Sequence, residues 1–417
     1  MIEDKRVAFE NNFEKASEAL RADYSVLSVR DADRVRGNLY LPAAGANGST
    51  IVWESSNPSV ICAKEALNKD YDKTPAGVVI RQDKDINVIL SAYITLEDIT
   101  LKKDFSVTVL AKPQREEYTD YLFTYFIGSS ADEENIFFAV SDDGFSWKAL
   151  NHGKPVLTSA LGTTGIRDPF VVRSAEGDRF FLIATDLCIA KDGDWTKAQR
   201  KGSQSILIWE SLDLIQWTKP RLVKINSDVA GCTWAPEAFY DEITGEYLIF
   251  WASRVSTDNY AKQRVYYAKT RDFYNFTEPT PWIDYPFSVI DTTVVKDKNT
   301  YYRFTKYEDK SRIIMERADC LLGSWSEVAS KTLSAQEGVE GPCCFALNEK
   351  DIVEGNRFCL LLDHFVGSGY YTMVAKDLST AEFERKEGCS MPKERPRHGT
   401  VIPVTKKERV RIEEKYC

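Results

Sequence analysis

From Tyr118 onward, one pattern of apolar and polar positions recurs along the chain. Each copy contains an aromatic-rich strand, then a strand that ends near an acidic residue, then a turn and another aromatic residue. The five copies end at Trp147, Trp217, Phe276, Trp325 and Phe383. A shorter apolar strand precedes four of them and begins near Asp168, Ala235, Asp291 and Gly341. Repeats of four strands at a spacing of roughly 50 to 70 residues predict the blades of a β-propeller.

One blade is split between the two ends of this region. Residues 121–150 supply three strands with no short apolar strand before them, and the segment HGTVIPV, from His398, supplies a short strand with nothing after it. Joining the two completes a fifth blade and removes the exposed edges of an open array. The expected fold class is therefore all-β, a five-bladed propeller with a split closing blade over residues 113–417. The alternative is two stacked sheets that share one strand–turn–tryptophan rhythm.

The first 112 residues follow different patterns. Residues 3–22 space their apolar side chains helically, which predicts a short amphipathic helix in an N-terminal segment of residues 1–23. Residues 24–112 alternate apolar and polar side chains in short runs between turn-rich segments, which predicts a small antiparallel β-sandwich. The runs span residues 49–55, 86–96 and 103–112. No site is evident in this sandwich, where Trp53 fits a core position better than a sugar platform, so a spacer role is expected.

Charge and composition narrow the classes of partner. The 417 residues hold 54 Lys and Arg against 63 Asp and Glu, a net charge of −9, so no basic excess is available to bind nucleic acid or an anionic membrane. No apolar run approaches the roughly 18 residues of a membrane span. The first residues lack a signal-peptide pattern, so a cytoplasmic location is expected unless a signal peptide has been removed. Nine cysteines without CxxC spacing and only three histidines do not favour a metal site.

Charged and aromatic residues gather at the predicted starts of the innermost strands. In a propeller these strands line the central channel, and their starts open on the same face as the ends of the second strands. The candidates at these starts are Arg167, Asp168, Trp234, Glu237, Asp291, Glu340, Arg397 and His398. Weaker candidates for substrate contact, at the ends of second strands, are Asp186, Lys306 and His364. Each residue alone is also compatible with a structural role, but several carboxylates are costly to bury together without partners or function.

Cleavage of a glycosidic bond requires such a set of carboxyl groups. One carboxylic acid must keep its proton near neutral pH and donate it to the leaving oxygen, and an ionised carboxylate must activate water or attack the sugar. A third carboxylate raises the pKa of the acid by repulsion between like charges. The rings of Trp195, Trp234 and Trp251 can stack on sugars, although buried packing fits Trp251 equally well. The set therefore predicts a glycosidase, with a non-catalytic carbohydrate-binding propeller as the alternative.

The segments IRDPFVV, TWAPEAFY, VIDTTVV and VEGPCCF, in this order, resemble glycoside hydrolase family 43 from about residue 118 to residue 417. The resemblance implies a five-bladed propeller enzyme of plant cell-wall breakdown with an inverting mechanism. It implies that Asp168 is the general base, Asp291 the pKa modulator that also orients the acid, and Glu340 the general acid. The run TIVWESSNPSVI resembles the bacterial immunoglobulin-like modules found beside carbohydrate-active enzymes.

Four positions depart from the family pattern. Glu237 stands where Asp is commoner in a WAPD-like segment, and Thr292 stands where Pro is usual. Cys343 and Cys344 replace a frequent histidine and an apolar residue. These departures concern the surroundings of the carboxyl groups rather than the three carboxyl groups themselves.

The segment PRHGTVIP resembles part of the family as well and implies that Arg397 and His398 reach the channel. His398 is there expected to hydrogen-bond a carboxylate, bind substrate or ligate a channel calcium, or else to be a satisfied interior histidine. No cofactor is expected to be required, and a structural calcium in the channel is left open. The expected activity is exo-acting release of terminal sugars, foremost by an α-L-arabinofuranosidase, with β-xylosidase, arabinanase and exo-β-galactanase as alternatives.

Overall fold

The computed structural model describes Glu14, residues 16–67 and residues 73–417. By its internal contacts the chain divides into two units. The first comprises the described residues up to Gln114 with Asp241–Glu246 and Thr270–Asn275, and the second comprises Arg115–Tyr240, Tyr247–Lys269 and Phe276–Cys417. None of the helices in the described ranges is long and apolar enough to cross a membrane.

Helix α1 of the first unit spans Glu18–Val26, with the side chain of Ser17 accepting a hydrogen bond from Leu20 N at its start. Most of the predicted helix, residues 3–13 and residue 15, lies outside the described residues. The observed helix continues past the predicted end at residue 22. Asp23, the first residue beyond the predicted helix, is buried and accepts hydrogen bonds from Asn47 and Ser49.

The strands of the first unit are β1 Thr50–Ser55, β2 Ile61–Cys62, β3 Ala66–Leu67, β4 Lys73–Thr74, β5 Val78–Val79, β6 Ile86–Leu96 and β7 Ile99–Val109. They form one three-stranded antiparallel sheet in the order β1-β6-β7 and two further two-stranded pairs, β2-β5 and β3-β4. Trp53 is 4% exposed and its Nε1 donates to the carbonyl oxygen of Pro42 at 2.8 Å. Trp53 therefore belongs to the core and offers no surface to a sugar.

The second unit consists of five four-stranded antiparallel sheets, here called blades I to V. The strands of blade V that come first in sequence are β8 Tyr118–Phe126, β9 Phe137–Ser141 and β10 Lys148–Ala149. Blade I holds β11 Ile166–Arg173, β12 Phe180–Asp186, β13 Ser205–Ser211 and β14 Arg221–Lys224. Blade II holds β15 Trp234–Asp241, β16 Glu246–Ser253, β17 Arg264–Thr270 and β18 Thr280–Ile283.

The remaining strands complete the repeat. Blade III holds β19 Val289–Asp297, β20 Thr300–Tyr307, β21 Arg312–Ala318 and β22 Ser326–Glu327. Blade IV holds β23 Glu340–Ala346, β24 Phe358–His364, β25 Gly369–Ala375 and β26 Glu384–Arg385. The last strand, β27 Arg397–Thr405, pairs with β8, so that blade V has the order β10-β9-β8-β27. The split closing blade is thereby confirmed. Three helices accompany the blades, α2 Trp195–Arg200, α3 Lys331–Ser334 and α4 Lys406–Tyr416.

Hydrogen bonds link the blades in a closed circle. Thr400 of blade V donates to Pro169 of blade I, Thr185 of blade I accepts from Ala235 of blade II, and Glu237 of blade II bonds to Thr293 of blade III. The circle continues from Asp291 of blade III to Gly341 of blade IV, and from Tyr370 of blade IV to Gly399 of blade V. Two stacked sheets would not give this cyclic order, so the five-bladed propeller is the fold. Trp251 is fully buried within it, which corrects the suggestion that its ring stacks on a sugar.

A buried ion pair fastens the C-terminal helix α4 to blade I. Arg173 donates from Nη1 and Nη2 to the two carboxylate oxygens of Glu408, at 2.6 and 2.8 Å, and from Nη2 to Pro403 O. The two side chains are 12% and 11% exposed. Because Glu408 also closes the capping box with Thr405 at the start of α4, this clasp joins the last strand and the helix to the first complete blade.

Breaking this clasp is expected to destabilise the fold strongly. Arg173→Met leaves the carboxylate of Glu408 without its cation, so we expect the free energy of unfolding to fall by about 3–5 kcal/mol. The matched control is Lys407→Met, because the exposed pair between Lys407 and Glu116 contributes about 1 kcal/mol or less. Denaturant titration of both variants checks this, and equal effects would show that the clasp does not stabilise the closed ring.

Candidate active site

A local irregularity marks the starts of the innermost strands. The pairing with the second strand shifts register in four blades, between Arg167 and Phe170, Ile290 and Thr292, Glu340 and Cys343, and Arg397 and Gly399. The residues at the equivalent position of the five starts are Asp168, Ala235, Asp291, Gly341 and His398. The first four have left-handed φ angles between 47° and 51°. Such strain costs of order 1–3 kcal/mol in a non-glycine residue, and bulges of this kind redirect a side chain out of the ladder.

A proline in the motifs indicates the position of this bulge, although the bulge was not predicted from the sequence. A proline follows the left-handed residue in three blades, at Pro169, Pro236 and Pro342. Aligned on this proline, Glu340 precedes the bulge position, whereas Asp168 and Asp291 occupy it. Gly341 explains the difference, because a Cβ atom at that position would lie 2.8 Å from Cβ of His398. The carboxyl group of blade IV is therefore carried by the preceding residue.

Asp168 is held as an ionised carboxylate that stays partly open to solvent. Its Oδ2 accepts a hydrogen bond from Thr185 Oγ1 at 2.8 Å, and its Oδ1 lies 3.5 Å from His398 Nδ1. Burial acts to raise the pKa of Asp168, but His398, Arg167 and Thr185 outweigh it and hold the pKa below its ordinary value. An ionised carboxylate of this kind can take a proton from a water molecule.

Asp291 is a carboxyl group whose pKa lies close to neutral pH. Its Oδ2 accepts a hydrogen bond from Gly341 N at 3.1 Å, and its Oδ1 lies 3.7 Å from His398 Nδ1. Burial raises the pKa of Asp291 to about 7, with Glu340 and Asp168 adding to the rise and His398 opposing it. Asp291 thus interacts electrostatically with both Asp168 and Glu340, and its hydrogen bond from Gly341 N holds the backbone next to Glu340.

His398 lies among three carboxyl groups. Its Nδ1 faces Asp168 and Asp291, and its Nε2 lies 3.9 Å from Glu237 Oε1. Burial acts to lower the pKa of His398, but Asp291, Asp168 and Glu237 outweigh it and raise the pKa well above that of an ordinary histidine. The ring is therefore an imidazolium that neutralises part of the carboxylate charge. Glu237, one of the candidates at the strand starts, is buried beside it, and burial raises the pKa of that carboxyl group.

A charged His398 and a metal ion are alternatives at this position, because a protonated imidazole has no free lone pair to bind a metal ion. Among the residues that the structure describes, no group of three or more His, Cys, Asp or Glu has an arrangement that holds a metal ion. No chemical step is therefore assigned to a metal here.

Glu340 is bracketed by two cations. Its Oε2 accepts from Lys306 Nζ at 2.7 Å, and its Oε1 accepts from Arg397 Nη2 at 2.6 Å. Burial acts to raise the pKa of Glu340, but Lys306 and Arg397 outweigh it and hold the pKa below its ordinary value. Arg397 also donates from Nε to Asp363 Oδ2 at 2.6 Å. Asp363 is fully buried, and sequence reasoning missed it because it lies inside an apolar second strand.

The guanidinium of Arg167, next to Asp168 in sequence, contacts two aromatic rings. It lies 4.4 Å from the ring centroid of Phe126 and 5.4 Å from that of Trp195. Trp195 is 45% exposed and packs edge to face against Trp234, with 6.0 Å between centroids. Partly exposed aromatic faces of this kind suit the apolar face of a sugar ring.

Glu134, which was not among the sequence candidates, holds the guanidinium of Arg167 in place. Its Oε1 accepts from Arg167 Nη1 at 2.9 Å and from Ile189 N at 2.8 Å, and its Oε2 accepts from Ala190 N at 3.1 Å. The carboxylate is 1% exposed. The local sequence DEEN gives no hint of burial, because the partners of Glu134 come from blade I, the neighbouring blade.

Two of the weaker candidates do not join the cluster in the observed contacts. Asp186 is buried and accepts from the backbone N and Oγ1 of Thr163, at 2.7 and 2.8 Å, so it holds a loop of its own blade. His364 contacts Ser368 in the turn that follows β24. Lys306, the third weak candidate, does belong to the cluster through Glu340.

This arrangement combines the groups that acid–base cleavage of an acetal requires. Asp168 can accept a proton, Glu340 can present a carboxyl group to a leaving oxygen, and Asp291 lies between them with a pKa near 7. The remaining charges are paired, because His398 faces the carboxyl groups and Arg397 faces Asp363. All of these residues come from the starts of innermost strands or the ends of second strands.

Comparison with known proteins gives one curated relative and several solved structures. An α-L-arabinofuranosidase of Bifidobacterium longum subsp. longum is 33% identical over 421 aligned residues, which cover 87% of this chain and 38% of the relative. The chain thus spans less than half the length of that relative. A thermostable family-43 glycoside hydrolase is 16% identical, with 58% of this chain and 81% of that chain covered and a TM-score of 0.39. An α-L-arabinofuranosidase of Podospora anserina, in complex with cellotriose, is 13% identical, with 58% and 73% covered and a TM-score of 0.40.

Family models match both parts of the chain. The model of an atrophied bacterial immunoglobulin domain matches residues 13–112. The model described as a probable glycosyl hydrolase domain, related to glycoside hydrolase family 43, matches residues 116–409. The second match covers most of the chain and includes every residue of the cluster described above. The chain therefore belongs to the glycosyl hydrolases related to family 43.

Proposed function

We propose that this protein is an inverting, exo-acting glycoside hydrolase with α-L-arabinofuranosidase activity on plant cell-wall oligosaccharides or polysaccharides. The observation that carries the proposal is the convergence of Asp168, Asp291 and Glu340 around His398 and Gly341. The name of the curated relative favours the arabinofuranoside among the sugars that the family pattern leaves open.

In the proposed reaction, a terminal sugar lies between Asp168 and Glu340. Asp168 removes a proton from a water molecule as that water attacks the anomeric carbon, and Glu340 donates a proton to the glycosidic oxygen as the bond to the leaving group breaks. Attack from the face opposite the leaving group inverts the anomeric carbon. Asp291 modulates the proton affinity of Glu340 and holds its backbone through Gly341 N.

The neighbouring residues bind and position the sugar in this proposal. Trp195 and Trp234, which Arg167 supports, offer ring faces to the sugar or its leaving group. Lys306 and Arg397 hold the carboxyl group of Glu340 in place. We propose that no metal cofactor is needed, because His398 supplies the positive charge among the carboxyl groups.

A non-catalytic carbohydrate-binding propeller is the second candidate, and one observation favours it. Both oxygens of Glu340 are bonded to cations, which is an unusual state for a group that must carry a proton. A protein that only recognises hydroxyl groups would not need that proton. Turnover decides between the two functions.

Hydrolysis of a panel of nitrophenyl glycosides tests the proposal. We expect the α-L-arabinofuranoside to be hydrolysed faster than the β-D-xyloside and the β-D-galactoside, and we expect proton NMR to show the inverted anomer as the first sugar product. A faster xyloside or galactoside would reassign the substrate within the family. Binding of oligosaccharides without turnover of any glycoside would support the non-catalytic function, and a retained anomer would overturn the roles given to Asp168 and Glu340.

A further inference from the structure

The contacts of Glu340 pose a chemical problem for a general acid. A carboxyl group can protonate a leaving oxygen only if one of its own oxygens carries a hydrogen and points at that oxygen. In this structure Lys306 occupies Oε2 and Arg397 occupies Oε1 of Glu340. Both contacts favour the ionised form of Glu340, so an oxygen takes up a proton more readily once the cation bonded to it moves away.

Arg397 is poorly suited to leave. Its guanidinium bonds Asp363 through Nε and Glu340 through Nη2, in each case at 2.6 Å. Asp363 has no exposed surface. Withdrawal of Arg397 would leave a buried carboxylate without its cation, which is strongly unfavourable.

Lys306 has a second acceptor within reach. Its Nζ lies 2.7 Å from Glu340 Oε2 and 2.7 Å from Glu308 Oε2, and the side chain of Glu308 is about one-third exposed. An ammonium group has three donors on a flexible stem, so it can give up one acceptor and keep the other. The ring of Phe365 lies 4.7 Å from Nζ and contacts the cation as well.

We propose that Lys306 is a positioning residue that keeps Glu340 ionised in the free enzyme and moves its hydrogen bond to Glu308 alone when substrate enters. Oε2 of Glu340 then takes up a proton from solvent, and this proton passes to the glycosidic oxygen during cleavage. Asp168 releases to solvent the proton that it removed from water, so that protons balance over one turnover. The inference rests on the proposed function, in which Glu340 is the acid.

The bound sugar provides the reason for the exchange. It displaces water from around Glu340, which makes the ionised carboxylate less favourable, and its glycosidic oxygen is an acceptor that needs a hydrogen on Oε2. The charged or titratable groups that face Glu340 are Lys306, Glu308, Asp291, Arg397, His398 and Asp363. Of these, Lys306 combines a direct bond to Glu340 with an alternative partner, Glu308, whose side chain is about one-third exposed.

The pH dependence of hydrolysis tests the proposal. The substrate should be an alkyl α-L-arabinofuranoside, whose poor leaving group makes protonation necessary. The alkaline limb of kcat/KM reports the acid in the free enzyme, and the alkaline limb of kcat reports it in the substrate complex. For the wild type we expect the limb of kcat to lie about one pH unit or more above that of kcat/KM.

Two variants separate this role from a merely structural one. In Lys306→Met the free enzyme has lost one of the two cations that favour ionised Glu340, so the limb of kcat/KM should rise to meet that of kcat. In Glu308→Gln, Lys306 loses the charged acceptor that draws it away from Glu340, so kcat should fall and its alkaline limb should move down towards that of kcat/KM. Glu308→Gln changes a partly exposed residue, so it keeps the proposal testable if Lys306→Met does not fold.

The outcomes that overturn the proposal differ from those that overturn the proposed function. Coinciding limbs in the wild type, or a gap that survives in Lys306→Met, would exclude the role of Lys306 while leaving Glu340 as the acid. Unchanged hydrolysis of the alkyl glycoside by Glu340→Gln would instead remove Glu340 from the reaction, and the proposed function would fail with it.

Discussion

Glu340→Gln should lower kcat for an alkyl α-L-arabinofuranoside by a factor on the order of 10² to 10⁴, because the amide cannot donate an acidic proton to the leaving oxygen. The change keeps the size of the side chain and leaves an oxygen that can still accept from Lys306 or Arg397. Steady-state kinetics on the purified variant, with its unfolding curve measured alongside, separates lost chemistry from lost structure.

The leaving group provides the internal control for this variant. A nitrophenyl leaving group departs as a stable anion and needs little protonation, so the same variant should recover much of its activity on the aryl glycoside. Glu337→Gln is the matched substitution, since Glu337 is an exposed glutamate close by in sequence, and it should behave as the wild type. Equal losses on the alkyl and aryl substrates would contradict the role of Glu340 as the acid.

Asp168→Asn should lower kcat by a similar factor, on the order of 10² to 10⁴, on both kinds of substrate. The attacking water loses its base in this variant, and a better leaving group does not replace that function. Asparagine tolerates the left-handed backbone of this position better than most residues, so the bulge should persist. Hydrolysis rates of the alkyl and aryl glycosides, measured in parallel, check the expectation.

A surface carboxylate serves as the control for charge removal. Asp228 is almost fully exposed and pairs with Lys224, so Asp228→Asn should leave the rates unchanged. Full rescue of Asp168→Asn by the aryl leaving group would show that Asp168 assists departure of the leaving group rather than attack of water.

The sequence was sufficient for the order of the blades and for the three carboxyl groups. Each blade can be recognised from its own stretch of sequence, because the aromatic-rich strand, the acidic turn and the next aromatic residue follow one another within one repeat. The split of blade V was also visible, since β27 and β8 are the incomplete pieces of one sheet. The charged residues at the starts of the innermost strands stood out against apolar surroundings.

The pairings between blades could not be predicted in the same way. The sequence indicates Lys306 only weakly and Glu308 not at all, although the two residues and Glu340 form one cluster. Glu134 of blade V accepts a hydrogen bond from Arg167 of blade I, and the residues next to Glu134 in sequence do not indicate that its carboxylate is buried. Asp186, a candidate for substrate contact, accepts hydrogen bonds from Thr163, which precedes it by 23 residues. Such partners depend on which side chains the circular closure brings together.

The charge states also required the structure. A carboxyl group that is buried beside other carboxyl groups is expected to hold a proton, which fits Asp291, because burial raises its pKa to about 7 and Glu340 and Asp168 add to the rise. Glu340 departs from that expectation because two cations reach it from neighbouring blades. The acid of the proposed reaction is therefore charged in the free enzyme, and this difference motivates the role inferred for Lys306.

The roles of Glu340 as the acid and Asp168 as the base are tested most directly by the dependence of kcat on the acidity of the leaving group. This dependence is measured across a series of alkyl and aryl α-L-arabinofuranosides. The plot should be much steeper for Glu340→Gln than for the wild type, since bond breaking then proceeds without a proton. For Asp168→Asn it should run below the wild-type plot with a similar slope. One common slope for all three proteins would contradict the assignment of acid and base.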